Sequence, residues 1–532
     1  MKRIFLDFNN FETPSEVHAY LRKELGSPEY FGSNLDALHD VLTSLHEEVL
    51  FYLTRIGHPM EEGFVHVMKD AAAENYHLNV YGASDIQRRR PAAGEFGREM
   101  SALRGETDGE IYDVIVAGGG PAGIGAAVAA ALCGARTLLL ESRSFFGGIA
   151  ATSLFMPMNR MRLQGGSRGG VHDELIKELE KYGEKAFREG KVTWTDGDGL
   201  HVHPEYLKMA VFDLLDRVHC DYYLYSPVTA VRKAGKSVTA ALVRTKQGEK
   251  AFCGKVFIDC SGDGDMAAAA GARFELGNET NGSMMPVTLG FALANVDTDR
   301  LFSWYDAEDP VPKMADVLRQ AEEEGYSVSK WYSFDRTTIP NVASVNNGGL
   351  KDIGTLNVME PSDATKAEKA GLKLALDFVE IVRKFKIPGL ENCALDRTGA
   401  AVGVRESRRI LCDYVLTYED ALNGTEFEDI IARRYGALDQ AGLSEVGVSM
   451  KSGYGYPYRA LLVRDLDNVM AAGKCGSYTH LALAAGKSMG NMMAIGQAAG
   501  IGAALAVSEG ITPREVDYRK VQEKLLELGV QL

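Results

Sequence analysis

Apolar positions along the first eighty residues follow two rhythms. Short runs such as "RIFLDF", "VLFYLTRI" and "HLNVYG" read as strands, while "SEVHAYLRKEL" and "GFVHVMKDAAAE" repeat apolar residues at helical spacing. Between them, after the turn "GSPEYFGS", a helix carries Leu35, Leu38, Leu42 and Leu45 on one face. Residues 83–110 lose all sustained period and set an Arg triplet beside Pro and Gly, the pattern of a linker. From Ile111 buried strands alternate with helices, which predicts a doubly wound α/β sheet. "YDVIVAG" and "RTLLLE" flank its first helix, and a hairpin-like stretch runs from "DYYLYSP" to "GKVFID". Residues 275–400 are mixed, with one long helix near "ATKAEKAGLKLALDFVEIVRKF", and "GNMMAIGQAAGIGAALAVS" is the final apolar helix. The predicted division is a small α/β domain over 1–82, a linker over 83–110, and a doubly wound domain in two parts, 111–274 and 401–532, with a mixed α+β region inserted over 275–400.

Composition narrows the class. With 532 residues, 45% hydrophobic and 25% charged, the chain is a globular protein too long for a single core. A formal net charge of −15 argues against general affinity for nucleic acid or anionic membrane. Cysteines at 133, 220, 253, 260, 393, 412 and 475 show no C-x-x-C spacing, which fits a reducing, cytoplasmic setting. The opening "MKRIFLDFNNFE" meets Asp7 and Glu12 before any long apolar run, unlike a secretory signal. Val114–Ala135 is an uncharged stretch long enough to span a bilayer, but its Gly-Gly-Gly-Pro cluster predicts strand, turn and helix instead.

That cluster is where the chemistry begins. Gly118, Gly120 and Gly123 stand in G-x-G-x-x-G spacing between strand and helix, with Pro121 and Ala122 inside the loop and Glu141 ending the next strand. The first glycine permits the tight turn, the second lets a phosphate approach the backbone, and the third lets helix and strand pack. Exposed N–H groups at the helix start favour a pyrophosphate, and Glu141 is placed for a ribose hydroxyl pair. The fingerprint alone does not separate FAD from NAD. Three further glycine-rich segments favour FAD: Gly147 and Gly148 in "FFGGIA", the turn "DCSGDGD" through Ser261, Gly262 and Asp263, and Gly473 ahead of the late apolar helix. The N-terminus of that helix suits the negative charge of a reduced flavin ring.

In "AGGGPAGIGAA", "IDCSGDGD", "AVGVRESRRI", "YVLTYED" and "AIGQAAG", the region from Ile111 to about Val507 resembles the FAD-dependent oxidoreductases related to fumarate reductase flavoproteins. The resemblance implies a Rossmann-like FAD-binding domain whose inserted region covers the reactive face of the cofactor. It also implies cofactor contacts at Gly118, Gly120, Pro121, Ala122, Gly123, Glu141, Ser142, Gly147, Gly148, Val228, Ser261, Gly262, Asp263, Gly473, Gln497 and Gly500. Where family members commonly carry G-R-C, this chain has Gly473, Lys474 and Cys475; where they commonly carry Arg before V-M, it has Lys487 before Ser488 and Met489. Lysine keeps the charge and loses the fork that matches a carboxylate plane.

For catalysis, "VRESRRI" offers Arg405, Arg408 and Arg409. Arg405 is the expected anchor of an anionic substrate and the other two are expected to pair with carboxylates. Lys474 and Lys487 are further cations for the same task, and His480 in "SYTHLA" is the candidate acid or base. His203 is expected to begin a helix, not to bind a metal, and Cys260 and Cys475 to be buried packing residues.

At the other end, "LRKELGSPEYFGSNLDALHDVLTSL" resembles barstar, the ribonuclease inhibitor. The resemblance implies that Tyr30, Asp36, Asp40 and Asp70 face a basic ribonuclease. Two functions therefore stand side by side: a flavoenzyme moving a hydride between FAD and a small anionic organic substrate, and an interaction protein whose head captures a ribonuclease while the body acts as scaffold or redox sensor.

Overall fold

The computed structural model describes residues 2–26, 34–46, 49–54, 61–75, 78–81, 111–154, 157–163, 166–192, 195–307, 310–349, 356–437 and 449–532. The chain divides into two units, one of Met1–Arg90 with Leu132–Gly134 and the other holding the rest.

In the first unit, strands β1 (Lys2–Asp7), β2 (Val49–Thr54) and β3 (Leu78–Tyr81) form a parallel sheet in that order, with Ile4 opposite Phe51 and Phe51 opposite Val80. Helices α1 (Pro14–Leu25), α2 (Leu35–Thr43) and α3 (Glu61–Glu74) supply the rest of its core. Local chemistry sets their ends. Pro14 opens α1 and Gly26 closes it in the left-handed region, while the Asn34 side chain accepts from Ala37 N at 2.8 Å to cap α2. The leucine face of α2 turns inward as its spacing predicts, with Leu38 and Leu42 fully buried and Leu35 and Leu45 packed at the margin. Asn75 ties α3 to the end of α2 by donating to Leu42 O, Thr43 O and Leu45 O.

The second unit is built on a seven-stranded sheet. Strand β4 (Tyr112–Ala117), helix α4 (Pro121–Leu132) and strand β5 (Thr137–Leu140) open it, with Val114 paired in parallel to Thr137. The order across the sheet is Asp221–Tyr223, β5, β4, Gly248–Asp259, Ser237–Thr245, Val228–Ala234, with Val469–Ala471 also paired to Gly248–Asp259. The stretch expected as a hairpin is thus an antiparallel meander, and the last half of Gly248–Asp259 enters the parallel core between β4 and Val469–Ala471. Its apolar runs are buried on both faces, as a sheet covered by helices requires.

Helix α4 is almost all Ala, Gly, Ile and Val because it lies against the long helix Met489–Glu509 at backbone distance. A methyl added at Gly125 would overlap Met493 O, and one added at Gly500 would overlap Ala126 O. Met489–Glu509 is long and apolar enough to cross a membrane, yet it lies inside the protein.

The inserted region carries its own four-stranded antiparallel sheet, ordered Tyr332–Arg336, Ala343–Asn347, Phe291–Ala294, Ala394–Thr398. Helix Pro361–Lys384 packs Phe378 onto Phe291, Tyr332 and Phe334, which gives this region a core separate from that of the nucleotide-type sheet. A hairpin of Ile430–Ala437 against Ser449–Pro457 sets Arg434 opposite Tyr454.

Candidate functional site

Strand β4 ends on the glycine loop, and the three glycines there differ in what surrounds them. Gly118 has φ +97°, a conformation other residues resist, and a methyl on it would overlap Cys260 O. Gly123 is closed off by Gly118 O. Gly120 is open: the nearest heavy atom to an added methyl is Gly148 Cα at 3.8 Å. Two glycines are sealed for turn and packing, and the middle one leaves room at the start of α4. There the first N–H groups have no intrahelical acceptor and the helix dipole is positive.

Segments far apart in sequence converge on this corner. Gly147 N donates to Gly119 O at 2.9 Å, and Gly148 lies against Gly120 and Pro121. Cys260 N donates to Ala117 O at 2.8 Å, which brings the 261–263 turn alongside. Gly473 abuts Ala122. Glu141, buried at the end of β5, accepts from Gly119 N at 2.7 Å and from Arg143 N at 2.8 Å, with Ser142 Oγ at 3.0 Å. Ser226 N donates to Glu141 O at 2.8 Å, and Val228 opens the next strand two residues on. An open glycine, a helix start and a carboxylate on one corner are the donor and acceptor set of a dinucleotide. The residues present fit FAD.

Two expected contacts have other roles. Gly500 lies against Ala126 in the helix pair, where it serves packing although the resemblance implied contact with the cofactor. Gln497 reaches the start of helix Val171–Glu180: its Oε1 accepts from Val171 N at 2.5 Å, and its buried Nε2 has no hydrogen-bond partner.

Asp259, not singled out by sequence reasoning, organises the 261–263 turn. Its fully buried carboxylate accepts from Ser261 N, Ser261 Oγ and Ala267 N, and burial pushes its pKa up against those bonds. Asp263 accepts from Lys474 Nζ at 2.8 Å and Ser407 Oγ at 2.6 Å. Burial would raise the Asp263 pKa, but the Lys474 ammonium, the Ser407 hydroxyl and Arg408 together outweigh it and the net shift is downward. The Lys474 ammonium is thereby engaged with Asp263 and Ser407.

The arginine cluster divides unevenly. Arg409 is buried among Glu406, Glu275 and Glu279, and Arg408 bonds Asp265 at 2.9 Å and Asp263 O at 3.0 Å, so both pair with acids or carbonyls as expected. Arg405 donates to Pro286 O at 3.0 Å and is half-buried. Lys487 is half-buried in the loop before Met489–Glu509. His480 caps this network: its Nδ1 lies 2.8 Å from Glu406 Oε2, and its backbone N donates to Glu279 Oε1 at 2.6 Å. A carboxylate only accepts, so Nδ1 donates to Glu406.

His203 Nδ1 accepts from Glu205 N at 3.2 Å as the N-cap of Pro204–Arg217, as its position before proline implied. Cys260 and Cys475 are buried, and burial raises both thiols. Among the described residues no group of His, Cys, Asp and Glu has the arrangement of a metal site.

In the first unit, Asp36 and Asp40 are exposed on α2, and Asp70 on α3 lies 3.3 Å from His66. Tyr30 lies outside the described residues.

Comparison with known proteins agrees with both halves. The barstar (barnase inhibitor) model matches residues 1–95. The chain is 44% identical over 43 residues to a candidate ribonuclease inhibitor, YrdF, of Bacillus subtilis (strain 168), covering 8% of this chain and 47% of that one. Mitochondrial dihydrolipoyl dehydrogenase of Schizosaccharomyces pombe is 26% identical over 148 residues, 23% of this chain and 29% of that protein. The chain therefore spans less than half the length of either curated relative. Among solved structures, a geranylgeranyl bacteriochlorophyll reductase-like protein from Thermoplasma acidophilum is 15% identical at TM-score 0.40, covering 79% of this chain and 83% of that one. The flavin-dependent brominase Bmp2 is 14% identical at TM-score 0.41, covering 79% and 83%. The FAD dependent oxidoreductase model matches residues 113–525, most of the sequence, and the chain belongs to that family.

Proposed function

We propose that the protein is an FAD-dependent oxidoreductase that transfers a hydride between flavin and a small anionic organic substrate, in the manner of enzymes related to fumarate reductase flavoproteins. The observation that carries this reading is the convergence of Gly118–Gly123, Gly147–Gly148, the 261–263 turn and Gly473 on one corner at the start of α4. When bound, FAD supplies a ring system that takes up or gives up two electrons as a hydride. The loop N–H groups would hold the pyrophosphate, and Glu141 the ribose hydroxyls. His480, its Nδ1 held by Glu406, would accept or return a proton at Nε2. Arg409 offsets the charge of Glu406 in a buried setting. Seven unbridged cysteines support a reducing, cytoplasmic setting.

The test is absorbance of the purified full chain at the flavin bands, followed by anaerobic bleaching against hydroxy acids and dicarboxylic acids. Retained FAD and bleaching by an acid are expected. A chain that takes up no FAD even when it is supplied in excess overturns the reading.

A second reading concerns the head. Asp36 and Asp40 are exposed one turn apart on α2, and no described residue pairs with either, so the like charges await a basic partner. The barstar match supports capture of a basic ribonuclease. Asp36→Ala with Asp40→Ala is expected to weaken that capture while flavin turnover is unchanged; no capture by the unmutated chain from a set of basic ribonucleases refutes it.

A further inference from the structure

Lys474, Arg405, Arg408 and Arg409, cations that sequence pattern brought forward, each touch an acid or a carbonyl. Arg434 does not. It is fully buried, and its Nε, Nη1 and Nη2 all lack a hydrogen-bond partner among the described residues. Its guanidinium is held by aromatic faces alone, with Tyr478 at 4.6 Å, Tyr454 at 5.3 Å and Tyr456 at 5.9 Å from ring centroid to Cζ. Such faces attract a cation, but they satisfy none of its five N–H donors. A buried charge left without a counter-charge destabilises the fold that holds it, so something else must offset it.

A second orphan faces the same point. Tyr454, directly across the hairpin from Arg434, has a buried hydroxyl with no partner. A methyl placed on Gly486 would overlap both Arg434 Nη2 and the Tyr454 hydroxyl, so the two groups converge on a backbone stretch that only glycine permits. Asn491 Nδ2 donates to Gly486 O at 3.2 Å and to Tyr435 O at 2.6 Å, which pins that stretch to the hairpin. Ser488 Oγ, two residues further, is buried and unpartnered as well. The group is tied to the dinucleotide corner through Tyr478, whose ring carries Arg434 and whose hydroxyl donates to Gly473 O at 3.1 Å.

We propose that Arg434, with the Tyr454 hydroxyl, is the receptor for a carboxylate of the substrate. The planar fork of an arginine matches the two oxygens of a carboxylate, and a hydroxyl beside it donates to the same group. This rests on the flavoenzyme reading for the word substrate, but the binding step does not depend on it.

The experiment uses the full chain loaded with FAD, titrated with sodium formate, acetate and benzoate against chloride at matched ionic strength. It reads thermal unfolding and the flavin bands. The carboxylates are expected to raise the unfolding temperature and perturb the bands where chloride does not. Arg434→Met is expected to weaken carboxylate binding ~30-fold or more. Arg434→Lys, which keeps charge without the fork, should weaken it ~10-fold, and Tyr454→Phe several-fold. FAD content should be unchanged. Unliganded Arg434→Met should unfold at or above the wild-type temperature, the reverse of what a merely structural arginine would give. Arg434→Lys and Tyr454→Phe carry the comparison should Arg434→Met fail to fold.

The proposal is overturned if no carboxylate affects the wild type, or if all three variants keep the wild-type response. It is equally overturned if the variants lose FAD or shift the flavin midpoint potential while the carboxylate response stays, since Arg434 would then serve the cofactor. A wild type that holds no FAD yet is stabilised by carboxylates through Arg434 sinks the flavoenzyme reading and leaves this site standing.

Discussion

Gly120→Ala separates what the loop does for the fold from what it does for a ligand. In the folded chain the added methyl meets only Gly148 Cα, at the ordinary contact distance of 3.8 Å, and Gly120 is not among the residues with positive φ. The loss of unfolded-state freedom should therefore leave the unliganded protein ~0.4–1 kcal/mol more stable. The methyl occupies the space through which a phosphate reaches the start of α4. Displacing the phosphate loses a charge-assisted hydrogen bond worth ~1.5–3 kcal/mol, an affinity loss of ~10- to 150-fold. Gly118→Ala behaves oppositely: at φ +97° and with Cys260 O in the way, it should cost ~2–4 kcal/mol of stability before any ligand is considered. Thermal unfolding of the unliganded chain and fluorescence titration with FAD measure the two effects. Gly120→Ala that binds FAD as tightly as the wild type, or that is destabilised like Gly118→Ala, refutes the assignment of the open glycine.

Two further outcomes follow from buried charge. Glu406→Gln removes the fully buried carboxylate shared by Arg409 and His480, and should cost ~3 kcal/mol, the lower end for a broken buried pair because Glu275 and Glu279 remain beside Arg409; an unchanged denaturation midpoint would show that the network carries no stability. His172 and His201 are pushed down to about 3 and about 4, chiefly by burial and then by nearby arginines, from an ordinary 6.5. The folded state keeps both neutral where the unfolded chain protonates them, so their contribution is complete above pH 6.5 and is lost as pH falls from there toward about 4 for His201 and about 3 for His172. The slope is ~1.4 kcal/mol per pH unit for each. Denaturant midpoints followed from pH 7 to 4.5 should fall less steeply in His201→Gln, and an equal slope would refute the burial argument.

The α/β class, the leucine face of α2 and the strand, glycine loop, helix and acid from Tyr112 to Glu141 were legible because each depends on neighbours within about thirty residues. Turn geometry, helix period and strand burial all act at that range, and Gly118, Gly120, Gly123 and Glu141 stand together in the structure. The resemblance placed Gln497 and Gly500 near the cofactor, but a helix has several faces, and which one meets α4 was decided by packing against Gly125 and Ala126.

Charge compensation is the property that sequence left open. Lys474 looks as available as any cation until Asp263 is brought beside it, and the sequence, which expects Arg408 and Arg409 to pair with carboxylates, does not say that the partners are Asp265, Glu275, Glu279 and Glu406, some from more than a hundred residues away. Arg434 showed only a weak signal, an arginine in the strand run "IIARRYGA" opposite the alternating tyrosines of "YGYPY". The sequence by itself determined which local pieces form and that one loop is shaped for a phosphate. Only the tertiary structure decided which charges are cancelled and that the buried Arg434 lacks a hydrogen-bond partner among the described residues, because Coulomb energy and desolvation depend on distance through space and on the water that folding removes.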